Sequence, residues 1–180
     1  MGNKQNITLV IGGCRSGKSD FALERANALP GDRKIFLATS VPRDREMEKR
    51  VEKHVAERGD SWITREEPVD VNAVIDQESA TAHVILLDCL TLWTTNLLMA
   101  GCDEAAIREA IHKLALSLEN SQCPVYLVTN EVGYGIVPEN TLARQFRDHA
   151  GLVNRELAKV ADEVYLTVAG IDLRIKPQSI

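Results

Sequence analysis

Gly12-Gly13-Cys14-Arg15-Ser16-Gly17-Lys18-Ser19 follows directly on the apolar run Ile7-Thr8-Leu9-Val10-Ile11 and leads into Asp20-Phe21-Ala22-Leu23-Glu24-Arg25. The eight residues fit G-x-x-x-x-G-K-[ST]. An apolar strand before them and a helix start after them are the setting in which that pattern folds as a phosphate loop. Gly12 and Gly17 let the backbone curl with its N–H groups pointing inward, so the turn and the helix N-terminus form an anion cradle. Gly12, Gly13, Cys14, Arg15, Ser16 and Gly17 are expected to supply that cradle. Lys18 is expected to reach the β- and γ-phosphates, and the Ser19 hydroxyl to ligate Mg²⁺. The expected ligand is a nucleoside triphosphate.

Outward from this loop, strand-like and helix-like segments alternate. Strands are expected at Ile7–Ile11, Lys34–Thr39, His83–Asp88, Val125–Asn130 and Val164–Val168, and helices at about Lys18–Leu29, Arg45–Arg58, Glu104–Glu119 and Leu142–Val160. The strands are continuous apolar runs, as in a parallel sheet covered on both faces. Alternating units of this kind predict an α/β fold of the P-loop NTPase type: a doubly wound, mostly parallel sheet with helices on both faces. Val164–Gly170 followed by Leu173–Lys176 predicts a short antiparallel edge at the C-terminus. With no repeat, linker or low-complexity segment, residues 1–180 read as a single P-loop α/β domain.

Composition removes several classes. Twenty-one Lys and Arg stand against 26 Asp and Glu, a net charge of −5 with no basic run, which argues against a nucleic-acid surface. No apolar stretch approaches the roughly 20 residues of a membrane span. The N-terminal residues lack the apolar core of a signal peptide. Cys14, Cys89, Cys102 and Cys123 contain no C-x-x-C pair. That spacing supports neither a zinc site nor a disulfide framework, and it suits a reduced, cytoplasmic setting.

In such sheets ligands sit outside the carboxyl ends of the strands. Val84-Ile85-Leu86-Leu87 ends in Asp88, and an acid at that place either holds Mg²⁺ or caps the following helix. The polar segment from Asp44 carries Met47, Val51 and Val55 on one narrow stripe with His54 beside it, which by itself is a solvated helix. Thr129 to Pro138 forms a loop with two glycines, where backbone bends close to something. Arg144 and Arg147 beyond it either clamp phosphate or lie on a charged surface.

Taken together, these segments resemble one family. They are the phosphate loop, D-x-E-M-x-x-R-V-x-x-H-x-x-x-R from Asp44 to Arg58, W-x-T-x-E-E-P from Trp62 to Pro68, and LLDCLTLW with NLL from Leu86 to Leu98. TNEVGYGIVPEN and A-R-x-F-R-D-x-x-G-x-x-N complete the set between Thr129 and Asn154. The chain is similar in these to the bifunctional adenosylcobinamide kinase / adenosylcobinamide-phosphate guanylyltransferases of cobalamin biosynthesis, from Ile7 to Lys176.

The resemblance implies two reactions. ATP or GTP phosphorylates adenosylcobinamide, and GTP then donates GMP through a histidine to adenosylcobinamide phosphate, giving adenosyl-GDP-cobinamide and pyrophosphate. It places the guanylylated histidine at His54, next to Lys53 where some members carry a second histidine. It further implies that Thr39, Ser40 and Val41 line the nucleotide and that Arg58 contacts it. Glu66 or Glu67, together with Asp88, is implied for the guanine edge, ribose or metal. A homo-oligomer, a trimer, is implied as well. The alternatives are a small-molecule P-loop kinase without guanylyl transfer and a GTP switch. The switch would carry N-K-x-D, whereas Thr129-Asn130-Glu131-Val132 has neither its Lys nor its Asp.

Overall fold

A computed structural model describes residues 6–41 and 61–177. Its elements run β1 (Ile7–Gly12), α1 (Lys18–Asn27), β2 (Lys34–Ala38), β3 (Trp62–Glu66), α2 (Val71–Glu78), β4 (Val84–Asp88), α3 (Leu90–Met99), α4 (Glu104–Glu119), β5 (Val125–Asn130), α5 (Thr141–Val160), β6 (Glu163–Val168) and β7 (Ile171–Lys176). All seven strands lie in one sheet of order β3-β2-β4-β5-β1-β6-β7. Every pairing is parallel except β6 with β7. The parallel, doubly wound sheet with a short antiparallel C-terminal edge is the one expected.

Side chains of a strand alternate between the two faces, and here both faces are apolar. Ile7, Leu9, Ile35, Leu37, Ile85, Leu87, Val125 and Leu127 point into one core with Ile75, Trp93, Ile107, Leu114 and Leu157 from the helices α2 to α5. Val10, Phe36, Leu86, Tyr126, Val128 and Tyr165 point the other way, onto Ala22 and Ala26 of α1. This alternation turns continuous apolar runs into two cores separated by one sheet. Helix α4 buries Ile107, Ile111, Leu114 and Leu118 on one stripe, and Asp103 caps it by accepting from the Ala106 N–H at 2.8 Å.

Three elements go beyond the expected set: β3, α2 and α3. Strand β3 reads Trp-Ile-Thr-Arg-Glu and is exposed at Arg65 and Glu66, so it has no continuous apolar run. Helix α2 has eight residues and buries Val71 and Ile75. Helix α3 is apolar on most sides, and its Thr94 and Thr95 hydroxyls donate to the carbonyls of Leu90 and Thr91. The helix expected over Arg45–Arg58 lies outside the described residues.

Candidate active site

The phosphate loop begins where β1 stops. Gly12 is buried, and a Cβ there would stand 2.4 Å from the Ser16 Oγ and 2.6 Å from the Thr167 carbonyl oxygen, so the curl admits glycine alone. The Ser16 N–H donates back to the Gly13 carbonyl at 3.3 Å, and Gly17 takes φ +96° at the entry of α1, which favours glycine. From outside, the Gly170 N–H in the β6–β7 turn donates to the Ser16 carbonyl at 2.9 Å. The C-terminal hairpin thus buttresses the loop. Lys18 folds over the turn it belongs to, its Nζ 3.3 Å from the Gly13 carbonyl oxygen. A phosphate oxygen is a stronger acceptor for an ammonium than that carbonyl. The buried Ser16 Oγ has no hydrogen-bond partner among the described residues.

Parallel strands bring their carboxyl ends to one edge, and the register shows which residues share it. Gly12 lies level with Asn130, Ala38 with both Asp88 and Glu66, and Asp88 with Val128. Strand β5 therefore lies between the phosphate-loop strand and the strand that ends in Asp88. The Glu131 N–H donates to the Gly12 carbonyl at 3.1 Å. Polar side chains fix these ends: Thr91 Oγ1 accepts from the Asn130 N–H at 2.7 Å, Thr129 Oγ1 donates to Asn154 Oδ1 at 2.7 Å, and Asn154 Nδ2 donates to the Asn130 carbonyl at 3.1 Å. Asn96 Nδ2 likewise holds the Thr39 and Pro68 carbonyls at 2.8 and 3.0 Å. Sequence reasoning passed over Thr91, Asn96 and Asn154 in these roles. The signal for them is a polar residue inside an otherwise apolar stripe.

The helix after β4 is capped by Cys89, whose Sγ accepts from the Leu92 N–H at 3.5 Å, so Asp88 is not its cap. Burial, then the charge of Asp88, pushes the Cys89 thiol up to about 11, while the charge of Lys18 pulls the other way. Cys89 is thus within electrostatic reach of both Asp88 and Lys18, and it stays a neutral thiol near pH 7, unfit as a nucleophile.

The remaining sequence candidates sort as follows. Thr39 is fully buried; its hydroxyl donates to the Cys89 carbonyl at 2.8 Å and accepts from the Cys89 N–H at 2.9 Å. Ser40 is half-buried and Val41 exposed at the same edge. Glu66 is exposed at the end of β3, whereas the Glu67 carboxylate accepts from the N–H groups of Val69 and Asp70 and closes a local turn. Arg144 donates to the Pro138 carbonyl and to Thr141 Oγ1, and Arg147 to the Gly133 carbonyl at 2.6 Å. Both arginines therefore brace the loop after β5. His54 and Arg58 lie outside the described residues.

The Thr39 staple gives a direct test. Thr39→Val keeps the volume but takes the acceptor from the buried Cys89 N–H and leaves the Cys89 carbonyl with the Trp93 N–H as its donor. The expected loss is about 2 kcal/mol of stability, a fall of roughly 6 °C in melting temperature, with Thr39→Ser much milder. A Thr39→Val melting curve that overlays the parent would remove the staple from the account.

Among the described residues no group of three or more His, Cys, Asp or Glu could hold a metal ion. A magnesium ion in a phosphate site does not need one. It takes one or two protein oxygens, with phosphate oxygens and water completing the shell. The Ser19 hydroxyl and the Asp88 carboxylate are hard oxygen donors of that kind.

A family model described as cobinamide kinase / cobinamide phosphate guanyltransferase matches residues 8–175. The bifunctional adenosylcobalamin biosynthesis protein CobU of Salmonella typhimurium is 43% identical over 184 residues, covering 94% of this chain and 99% of that protein. The Escherichia coli protein of the same name matches with the same identity and coverage. The bifunctional adenosylcobalamin biosynthesis protein CobP of Pseudomonas aeruginosa is 38% identical, covering 93% and 96%. Among solved structures, a KaiC-like protein from Pyrococcus horikoshii superposes with a TM-score of 0.52 at 17% identity, over 91% of this chain and 71% of that one. That last likeness concerns the fold.

Proposed function

This chain belongs to the cobinamide kinase / cobinamide phosphate guanyltransferase family, and we propose that its phosphate loop serves both reactions of that pair. It is a bifunctional transferase of cobalamin biosynthesis, a kinase and a guanylyltransferase, rather than a kinase alone. The observation that carries the shared-site reading is the placement of Gly12–Ser19 at the sheet edge level with Asn130, one strand away from Asp88.

In the kinase step the cobinamide hydroxyl attacks the γ-phosphorus of ATP or GTP. The bond to the β–γ bridging oxygen breaks, the nucleoside diphosphate leaves, and the hydroxyl proton passes to solvent. No covalent enzyme group is needed, and positioning with charge stabilisation suffices. In the second reaction a neutral His54 imidazole nitrogen attacks the α-phosphorus of GTP and releases pyrophosphate. The phosphate of cobinamide phosphate then attacks the same phosphorus and frees the histidine. Imidazole is suited to this because its ordinary pKa of about 6.5 leaves it neutral at pH 7. Lys18 and the loop N–H groups hold the charge that develops on the departing phosphates. Ser19 and Asp88 would hold a Mg²⁺ ion, which when bound would supply further neutralisation of that charge. Ser40, Val41, Glu66 and Arg58 are assigned to the nucleotide.

We read residues 1–180 as one domain acting in the cytoplasm as a trimer. All described strands lie in one sheet, and no described helix is long and apolar enough to cross a membrane. Edge strand β7 exposes Ile171, Leu173 and Ile175, a stripe suited to self-association.

The decisive experiment incubates the protein with Mg²⁺ and GTP labelled at the α-phosphate, followed by denaturing electrophoresis. Label that survives alkali and is lost in mild acid is expected, as a phosphoramidate requires. A protein that phosphorylates cobinamide yet takes up no label would end the covalent mechanism and leave direct transfer.

A further inference from the structure

The loop between β5 and α5 exposes apolar side chains on a backbone that is held in place. Tyr134 is 86% exposed, Ile136 97% and Val137 60%. Three large apolar side chains exposed within four residues mark a candidate interaction surface. Here the backbone is tied from beneath. The Gly133 N–H donates to Glu131 Oε1 at 2.6 Å, the Arg147 guanidinium donates to the Gly133 carbonyl at 2.6 Å, and Arg144 donates to the Pro138 carbonyl at 3.1 Å. A Cβ on Gly133 would stand 2.8 Å from Glu131 Oε1, so a larger residue there would displace that carboxylate. Three charged side chains are thus spent on presenting three apolar ones.

The geometry points to Tyr134, Ile136 and Val137 as the platform that receives the corrin ring of the cobinamide substrate. This rests on the proposed function. The acceptor hydroxyl sits at the end of a flexible arm, so when it reaches the γ-phosphate the macrocycle must lie beside the phosphate loop rather than in it. The loop meets that requirement. It leaves the sheet at Asn130, level with Gly12, and Ile136 is six residues further on, within roughly 20 Å of chain. A tyrosine ring and two branched aliphatic side chains offer the flat, sequence-tolerant contact that a broad macrocycle takes. The exposed Glu139 beside them accepts from the amide N–H groups on its rim. Three side chains are too few for a stable contact between proteins, which buries about 800 Å² on each partner.

The test combines Tyr134→Ser with Ile136→Ser in the full chain and measures corrinoid binding by equilibrium dialysis without nucleotide, then KM for cobinamide in the kinase assay. Both the dissociation constant and KM are expected to rise about tenfold, the loss of part of two apolar contacts, with GTP affinity and molecular mass in solution unchanged. The conservative pair Tyr134→Phe with Ile136→Leu is expected to retain both values. Unaltered corrinoid binding would overturn the platform. A weakened GTP affinity would reassign the loop to the nucleotide base, and a lowered molecular mass would reassign it to a contact between copies of the chain. A parent protein that does not phosphorylate cobinamide would instead refute the proposed function, whatever the variants do.

Discussion

His54→Ala is expected to lower GMP transfer by about 10³-fold or more while leaving cobinamide phosphorylation within roughly a factor of three of the parent. The asymmetry follows from the bonds involved. Guanylyl transfer through the histidine needs a nucleophile that attacks the α-phosphorus and later leaves it, and alanine can do neither. Phosphorylation needs the γ-phosphate held in line with a substrate hydroxyl, which the phosphate loop does without a covalent partner. The paired measurement is initial rate of ADP or GDP formation with cobinamide against pyrophosphate release with cobinamide phosphate, both at saturating nucleotide. Labelling from GTP marked at the α-phosphate should vanish in the same variant. Loss of both activities together would mean that His54 holds the nucleotide for each reaction. Loss of neither would move the covalent step elsewhere, and Cys89 is no substitute, since its thiol is pushed up to about 11.

Much of the fold was legible in the sequence because the relevant forces are local. Gly12, Gly17, Lys18 and Ser19 act within one turn, and their spacing alone specifies the cradle. The strands that carry both faces of the core read as apolar runs, since both sides of each are buried. What escaped depends on the partner across the fold. Strand β3 is stabilised by parallel pairing with β2, from Lys34 opposite Trp62 to Ala38 opposite Glu66, and no pattern inside five half-polar residues records that pairing. Helix α2 shows Val71, Val74 and Ile75 at helical spacing, a signal that eight residues make weak. Arg144 and Arg147 in isolation read equally well as phosphate ligands or as surface charge. Their actual acceptors, the carbonyls of Pro138 and Gly133, become visible once the loop is seen to fold back on α5. Thr39 similarly reads as a residue at the ligand edge, while its hydroxyl is taken by the backbone of Cys89, fifty residues away.

The broader loss is expected from Lys18, because one charge serves two reactions. Lys18→Ala should cut both the kinase and the guanylyltransferase rates by about 10²- to 10³-fold, the usual cost of removing a single group that stabilises developing negative charge. Stability should barely change. The ammonium is half-exposed and makes a single 3.3 Å contact to the Gly13 carbonyl, worth little in water. That combination distinguishes a charge held for the substrate from a group that shapes the loop. The shape comes instead from Gly12, packed against Ser16 and the Thr167 carbonyl, and from the Gly170 N–H on the Ser16 carbonyl. Lys18→Met keeps most of the stem and removes the charge, so it should fall as far as alanine. Parallel loss of both rates supports one triphosphate cradle used in turn. If Lys18→Ala abolished phosphorylation yet still released pyrophosphate from GTP at the parent rate, guanylyl transfer would require its own phosphate site, and the shared loop would fail as the basis of bifunctionality.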